Sequence, residues 1–286
     1  MEALLQVDNL TKQYGNFKLD HVSFTIPKGT IMGLVGENGA GKSTTIKAIL
    51  DLIRKDEGTV TFWGQQLSSS KQLKENIGVV FDEINFYQTL TPLRVGKIAG
   101  ASYRQWNDKI YKEYLKRFNL PIDEKIKEMS RGMKMKLSIA VALSHNPKLL
   151  ILDEATSGLD PVMRDDILDI FLDFVQDENH SVLLSSHITT DLEKVADYIT
   201  FIHHGKVAFS KTKDELRYNY GIIRCGTDFF NKLDKKEILA YRKEAYQWDV
   251  LVADKDKARR KYKNAVVDNA TIDDILVLYV KGEQAK

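Results

Sequence analysis

One cysteine, Cys225, stands among 286 residues, so no disulfide can close within the chain and a reducing compartment is the expected setting. Long apolar runs are missing as well. No stretch approaches the roughly 18 residues that a membrane-crossing helix requires, and the chain is not expected to span a bilayer by itself. Residues 1–30 lack the basic start, apolar run and small-residue cleavage site of a secretory leader, so none is expected. An excess of one charge is also absent. With 42 Lys and Arg against 40 Asp and Glu, net charge argues neither for nor against a nucleic-acid partner. No low-complexity linker or internal repeat breaks the chain. What is there, 43% hydrophobic and 29% charged residues, suits one large globular domain, or one domain with an appendage.

The first two thirds alternate short apolar runs with helical patterns, which predicts an α/β domain. Expected strands are Ala3–Val7, Val22–Ile26, Ile31–Val35, Thr59–Trp63, Ile77–Phe81, Leu149–Leu152, Val182–Ser185, Tyr198–Ile202 and Lys206–Phe209. Leu149–Leu152 is continuously apolar, as a strand buried on both faces requires. Lys42–Ile53 places Ile46, Ile49, Leu50 and Ile53 on one helical face. Pro92 to His145 shows no strand pattern and lies between two expected central strands, which predicts an inserted helical subdomain spanning 90–145.

After Ser210 the texture changes. Short β-like runs (Ile238–Arg242, Tyr246–Val252) flank a basic segment, Lys255–Lys263, and a helix at Thr271–Val280 opens with the capping box Thr271-Ile-Asp-Asp274. These features predict a main domain at 1–215 and a small α+β appendage at 216–286. The basic segment reads first as a solvated helix face and second as a contact for anionic lipid. Nucleic acid comes third, because Tyr262 alone accompanies the charges.

The run Gly36-Glu-Asn-Gly-Ala-Gly-Lys-Ser-Thr44 follows the strand Ile31–Val35 and opens the helix at Lys42, the context a phosphate loop needs. Gly36, Gly39 and Gly41 are expected to permit positive φ and close approach to phosphates. Backbone N–H groups of the loop, with Asn38, Ala40 and Thr44 in the same cradle, would surround the anion at the positive end of the helix. Lys42 is expected to reach the β and γ phosphates, and Ser43 to bind Mg²⁺. Asp153, directly after Leu149–Leu152, is the candidate for orienting the metal, and Glu154 for general base on the attacking water. The structural alternative for either acid is a cap on the next helix. By itself the loop leaves GTPases, kinases and many ATPases open.

The residues around Glu154 narrow that choice. Ser130-Arg-Gly-Met-Lys134 stands upstream of Leu149–Glu154, which is followed by Ser157-Gly-Leu-Asp160 and later by Ser186-His187. In this order and spacing the chain resembles, over residues 3–210, the nucleotide-binding subunits of ABC transporters. The resemblance implies an ATPase core with an antiparallel β subdomain, ATP with Mg²⁺, and head-to-tail pairing with a second nucleotide-binding subunit, a homodimer being expected. It implies that Tyr14 stacks on adenine. Ser130 and Gly132 would form the signature loop that contacts the γ phosphate held by the partner. The loop Ser157 to Asp160 would pass between subunits, and His187 would be the switch histidine on the γ phosphate. A separate integral membrane permease would receive the work in a groove near Asp82–Leu93 and the helical subdomain. The chain would then sit peripherally on the cytoplasmic face of the membrane.

Three departures from the family pattern stand out. Met129-Ser-Arg-Gly-Met-Lys134 replaces the usual Leu-Ser-Gly-Gly-Gln, so Arg131 either brings a cation near the partner's phosphates or is a solvated side chain. Asp82-Glu83 stands where a glutamine is usual; Asp82 is still expected to approach Mg²⁺, with a shorter reach and an added charge. Lys125–Met129 lacks the Gly-Glu-Arg-Gly run of exporters that fuse membrane and ATPase parts, which agrees with a separate permease. Together these features look like Gram-positive exporters of antibiotics and peptides, of the phenol-soluble-modulin type. Two other classes stay open. A soluble ABC-type ATPase acting on ribosomes or DNA has against it the single phosphate loop and the lack of sustained heptads. A nucleotide-gated regulatory module with little turnover is suggested by Asp82 and the altered signature.

Overall fold

The computed structural model describes residues 2–83 and 86–284, which form two compact units. The division falls between Phe209 and Ser210, a few residues before the expected 215/216. Ile84 and Asn85, inside the expected partner groove, lie outside the described residues.

In chain order the first unit carries β1 (Ala3–Tyr14), β2 (Phe17–Pro27), β3 (Ile31–Val35), α1 (Lys42–Ile49), β4 (Glu57–Phe62), β5 (Gln65–Gln66) and α2 (Lys71–Lys74). Then follow β6 (Ile77–Phe81), α3 (Pro92–Ser102), α4 (Asp108–Arg117), α5 (Arg131–Leu143), β7 (Leu149–Asp153), α6 (Pro161–Phe174), β8 (Ser181–Ser186), α7 (Thr189–Val195), β9 (Tyr198–His203) and β10 (Lys206–Thr212). Six of the strands make one sheet in the order β10-β9-β3-β8-β7-β6, parallel from β9 to β6. Every residue of β3, β7 and β8 is buried, which is why their sequences do not alternate: β3 and Leu149–Leu152 of β7 carry no polar side chain, and β8 holds Val182–Leu184 between buried serines. Fully burying each such Leu or Ile stabilises the fold by about 1.5–3 kcal/mol relative to exposure.

The second sheet is antiparallel, β2-β1-β4-β5. Its inner face (Leu5, Val7, Leu10, Leu19, Val22, Phe62) joins Ile46 and Ile49 of α1 in one core. β1 runs well past its expected end at Val7. Pairing with β2 shifts register between Val7 and Leu10 and again before Lys12, and Asn9 takes φ 50°. Bulges of this kind change which face the next side chains take, so the period of two is lost to a reader of the sequence. α1 stops at Ile49, short of the expected Ile53, because Asp51 turns the chain with φ 54°.

Between β6 and β7 lie α3, α4 and α5, capped by Thr91, Asn107 and Ser130 respectively. The buried Tyr111 hydroxyl donates to the Pro92 carbonyl at 2.8 Å and ties α4 to the start of α3. This is the helical insertion expected from the missing strand pattern.

The second unit continues with α8 (Lys213–Asn219), β11 (Gly221–Cys225), α9 (Thr227–Phe230), β12 (Ile238–Lys243), β13 (Trp248–Val252), α10 (Lys255–Lys261), β14 (Val266–Asn269), α11 (Ile272–Lys281) and β15 (Glu283–Gln284). Its sheet runs β14-β11-β13-β12-β15, with antiparallel pairing along its length. Ile223, Val250, Val252, Ala258 and Val267 form its core, and Phe230 stacks on Trp248 at 4.0 Å. The Thr271–Asp274 capping box opens α11, both reciprocal bonds being present. The basic run is largely spent inside this unit. Lys257 pairs with Glu237 at 2.9 Å, Lys261 with Glu237 and Asp234, and Arg259 donates to the Val267 carbonyl at 3.0 Å. These contacts hold the Glu237 carboxyl below its ordinary range and raise both lysines.

Candidate active site

Four neighbouring parallel strands deliver the site from their carboxyl ends, the position where open α/β sheets receive ligands. β3 leads into the phosphate loop, β8 ends at Ser186 just before His187, β7 ends at Asp153, and β6 leads into Asp82. The register aligns Phe81 with Asp153 and Asp153 with Ser185. Because that pairing is fixed by buried apolar strands, the polar groups at their ends are held in one row.

A cavity of about 590 Å³ opens over this row, lined among others by Phe17, Lys42, Ser43, Asp82, Glu154 and His187. Glu37, Asn38, Gly39, Gly41, Thr44 and Ser157 complete its wall. Gly41 caps α1 with φ 114°, a left-handed conformation that an L side chain resists, and no side chain bonds the first helical N–H groups. The first turn also carries no acidic residue, so the positive end of the helix is left for an anion. Gly36 serves otherwise than expected. It has no positive φ; a Cβ there would lie 2.3 Å from the Ile202 carbonyl, so the glycine lets β9 pack against the loop. Ala40 is buried, and its carbonyl accepts from the Gly205 amide.

Lys42 is buried at 5% exposure and its ammonium donates to the Gly36 carbonyl at 2.8 Å. It also meets Glu154 Oε1 at 3.2 Å. The other carboxylate oxygen, Oε2, accepts from His187 Nδ1 at 2.7 Å. A carboxylate can only accept, so the ring proton sits on Nδ1. Glu154 itself has φ 54°, a conformation that costs a non-glycine residue of order 1–3 kcal/mol and turns its side chain out of the strand line. Asp153 is buried with Oδ1 unpartnered, and so is the hydroxyl of Ser185 opposite it. Neither acid caps the following helix; Asp160 does, accepting from the Met163 amide at 3.0 Å.

Of the expected partner-facing residues, Ser157 lines this cavity and Ser130, Gly132 and Asp160 do not. Ser130 caps α5, accepting from the Met133 amide at 3.2 Å. Gly132 is buried against α6, where a Cβ would fall 1.8 Å from Met163 Sδ. A larger residue there would have to turn the Met163 side chain aside. Tyr14 is half-exposed with the Lys12 ammonium 5.2 Å from its ring centre, and it is not among the lining residues. The lining aromatic is Phe17, its cross-strand partner, whose Cζ would lie 3.0 Å from a Cβ on Gly41. A sequence signal existed for it: Gly15-Asn16 between two β patterns marks a hairpin turn, which presents both flanking aromatics.

Behind the site, Arg164 donates to the Leu159 carbonyl at 3.3 Å and faces Asp191 at 3.9 Å. Burial raises the Asp191 carboxyl above its ordinary range. Neither residue was singled out in the sequence, where each reads as an ordinary charged helix position. Among the described residues no helix is long and apolar enough to cross a membrane.

Residues 19–157 match the family model for ABC transporters. The chain is 30% identical over 262 residues to the ABC transporter ATP-binding protein YtrB of Bacillus subtilis, covering 91% of this chain and 90% of the relative. That span must take in most of the second unit. It is 37% identical over 214 residues to the lantibiotic transport ATP-binding protein SrtF of Streptococcus pyogenes, covering 74% and 92%. A solved ATP-binding subunit of an ABC transporter superposes with a TM-score of 0.65 at 29% identity, over 75% of this chain and 92% of that one. With the phosphate cradle and its paired acids already in place, these likenesses leave one conclusion: the chain belongs to the ATP-binding proteins of ABC transporters and is an ATPase coupled to transport.

Proposed function

We propose that the chain energises a membrane exporter of peptides or antibiotics by closing head to tail on a second copy of itself around bound ATP. The observation that carries this reading is where Ser130 and Asp160 lie. Both spend their side chains on helix caps outside the cavity that holds Lys42, so the cavity is half a site. In two-fold pairing the α5 N-terminus of each copy completes the cavity of the other. ATP then acts as a bridging ligand, and its hydrolysis removes the bridge.

The donor set fits Mg²⁺. Asp153 Oδ1 and Ser185 Oγ are buried oxygens without partners, and the Ser43 hydroxyl and Asp82 carboxylate are oxygen donors on residues that line the cavity. When bound, the cation would neutralise charge on the β and γ phosphate oxygens. The chain's own groups do the rest. Lys42 exchanges Glu154 for phosphate, which frees a carboxylate oxygen to take a proton from water. On a neutral His187 ring, a proton on Nδ1 for Glu154 leaves none on Nε2 to offer. The ring's donation to phosphate requires that the Glu154 contact be remade or the ring take a second proton.

A permease partner is supported by a second cavity of about 440 Å³, lined by Leu50, Leu52, Ile77, Val79, Phe81 and Tyr103 among others. Its apolar wall suits a helix from an integral membrane protein, which would hold the chain at the cytoplasmic face. The lantibiotic named for SrtF supports the substrate class.

Titration with a fluorescent ATP analogue and sedimentation, run on the same variants, test the pairing. Lys42→Ala should abolish tight binding to the monomer. Ser130→Ala should spare it and block nucleotide-driven dimerisation. Equal weakening of monomer binding by both changes would contradict a shared site.

A further inference from the structure

Two positions that depart from the family pattern meet in space. The Arg131 guanidinium, at the start of α5, donates through Nη2 to Asp82 Oδ1 at the end of β6. The same guanidinium lies over Gly158, where a Cβ would come within 3.0 Å of Nη1 and 3.2 Å of Cζ. Gly158, at φ +69°, thus leaves the room that the guanidinium uses. Asp82 in turn lines the nucleotide cavity with Lys42, Ser43 and Glu154. Arg131 is therefore turned into its own chain and touches the loops that follow β6 and β7. Half of the side chain stays exposed to solvent, and its guanidinium end is engaged within the chain.

We propose that Arg131 is the positioning residue of Asp82: it holds the carboxylate on the α5 side of the cavity, and a metal–nucleotide complex must compete with it for that carboxylate. The proposal rests on the reading of Asp82 as a metal-facing group. A glutamine, being neutral, would need no such partner. An aspartate in the same place adds a negative charge beside the acids Asp153 and Glu154, and a fixed cation on α5 offsets it. A link between β6 and the α5 N-terminus has a consequence of its own. Filling the cavity of one chain releases the α5 end, which is the part expected to reach the other chain.

The test is a double-mutant cycle read by metal binding, not by turnover. Free Mn²⁺ is followed by electron paramagnetic resonance as it is titrated into protein saturated with a non-hydrolysable ATP analogue, at concentrations that keep the chain monomeric. Arg131→Gln should tighten Mn²⁺ binding about three- to five-fold, the range of a partly exposed ion pair. In an Asp82→Asn background the same change should have no effect. Raising the salt concentration should reproduce part of the gain in the wild type and none in Arg131→Gln. Circular dichroism melting checks that each variant is folded.

If Asp82→Asn alone leaves Mn²⁺ binding unchanged, Asp82 does not face the metal and the underlying reading fails. If Asp82→Asn weakens binding but Arg131→Gln does nothing, that reading stands and the positioning role of Arg131 is overturned. An Arg131→Gln effect of equal size in both backgrounds overturns it too, because the arginine would then act without Asp82.

Discussion

The nucleotide end of the first unit and the sheet of the second unit handle polar groups in opposite ways. In the second unit the charges of α10 find carboxylates and carbonyls, α11 has its full capping box, and the aromatic rings stack on one another. In the first unit α1 has no side-chain cap, Glu154 and Gly41 take left-handed backbone, and Asp153, Ser185 and Arg164 keep buried atoms unpaired. Among the described residues, every side chain with such an atom belongs to the first unit. Unpaired buried polar atoms cost about 1–3 kcal/mol each, so a fold tolerates a cluster of them where something else is meant to pair with them. The second unit pairs its polar groups within itself; the first leaves several unpaired, Asp153 and Ser185 at adjoining strand ends among them.

Substitutions can break this contrast, and the largest effect should come from Glu154. Glu154→Gln keeps the shape and removes the proposed base, so steady-state ATP turnover should fall about 10²- to 10⁴-fold while nucleotide binding persists. Turnover within a factor of two of wild type would remove Glu154 from the chemistry. Next comes Gly132→Ala. Its methyl group meets only the far end of the flexible, half-buried Met163 side chain, which can turn aside, so the loss should be no more than about 1 kcal/mol, read from denaturant unfolding. Adding Met163→Ala should recover part of the loss; if it does not, the α5–α6 contact is not what the glycine protects.

Acid sharpens the comparison further. Burial lowers the imidazole of His145, whose Nδ1 bonds the Glu75 carbonyl and whose ring stacks on Tyr103 at 4.1 Å. The folded state therefore prefers the neutral ring. This stabilising preference is complete above the unfolded value of about 6.5 and is lost as pH falls below it. His145→Phe should flatten the decline in stability between pH 7 and pH 5.5. Burial also lowers His180 and His203, so some of the slope should survive. An unchanged slope would clear His145 of the effect. The smallest effects belong to the second unit. Lys261→Ala should move the melting temperature by no more than about 2 °C and leave adsorption to anionic vesicles unchanged. A large loss of adsorption would restore the lipid reading of the basic run.

How much of this was legible beforehand depended on whether a signal was local. The parallel strands were readable because burial on both faces gives each a short run of consecutive apolar residues, and the phosphate loop because its glycines, lysine and flanking elements are contiguous. β1 was cut short because two bulges break its period. β11 and β14 were missed because each is a short strand whose identity lies in its pairing with distant residues. Lys42, Ser43, Glu154 and His187, which line the cavity, lie in the segments that follow strand ends and were readable there. Phe17 required knowing the hairpin, and the Arg131–Asp82 pair joins residues far apart in sequence that periodicity does not relate.

The position of Glu154 between Lys42 and His187 carries a last consequence. Before nucleotide arrives, the lysine already has an anion, and it is one the protein supplies. If Lys42 takes the phosphate as proposed, binding is an exchange of counter-ions, in which the incoming phosphate displaces a resident rival. Glu154→Gln dismisses that rival as well as the base. A variant that clings to ATP would thus report two things at once, a stalled reaction and a vacated lysine. ADP, which has no reaction to stall, isolates the second.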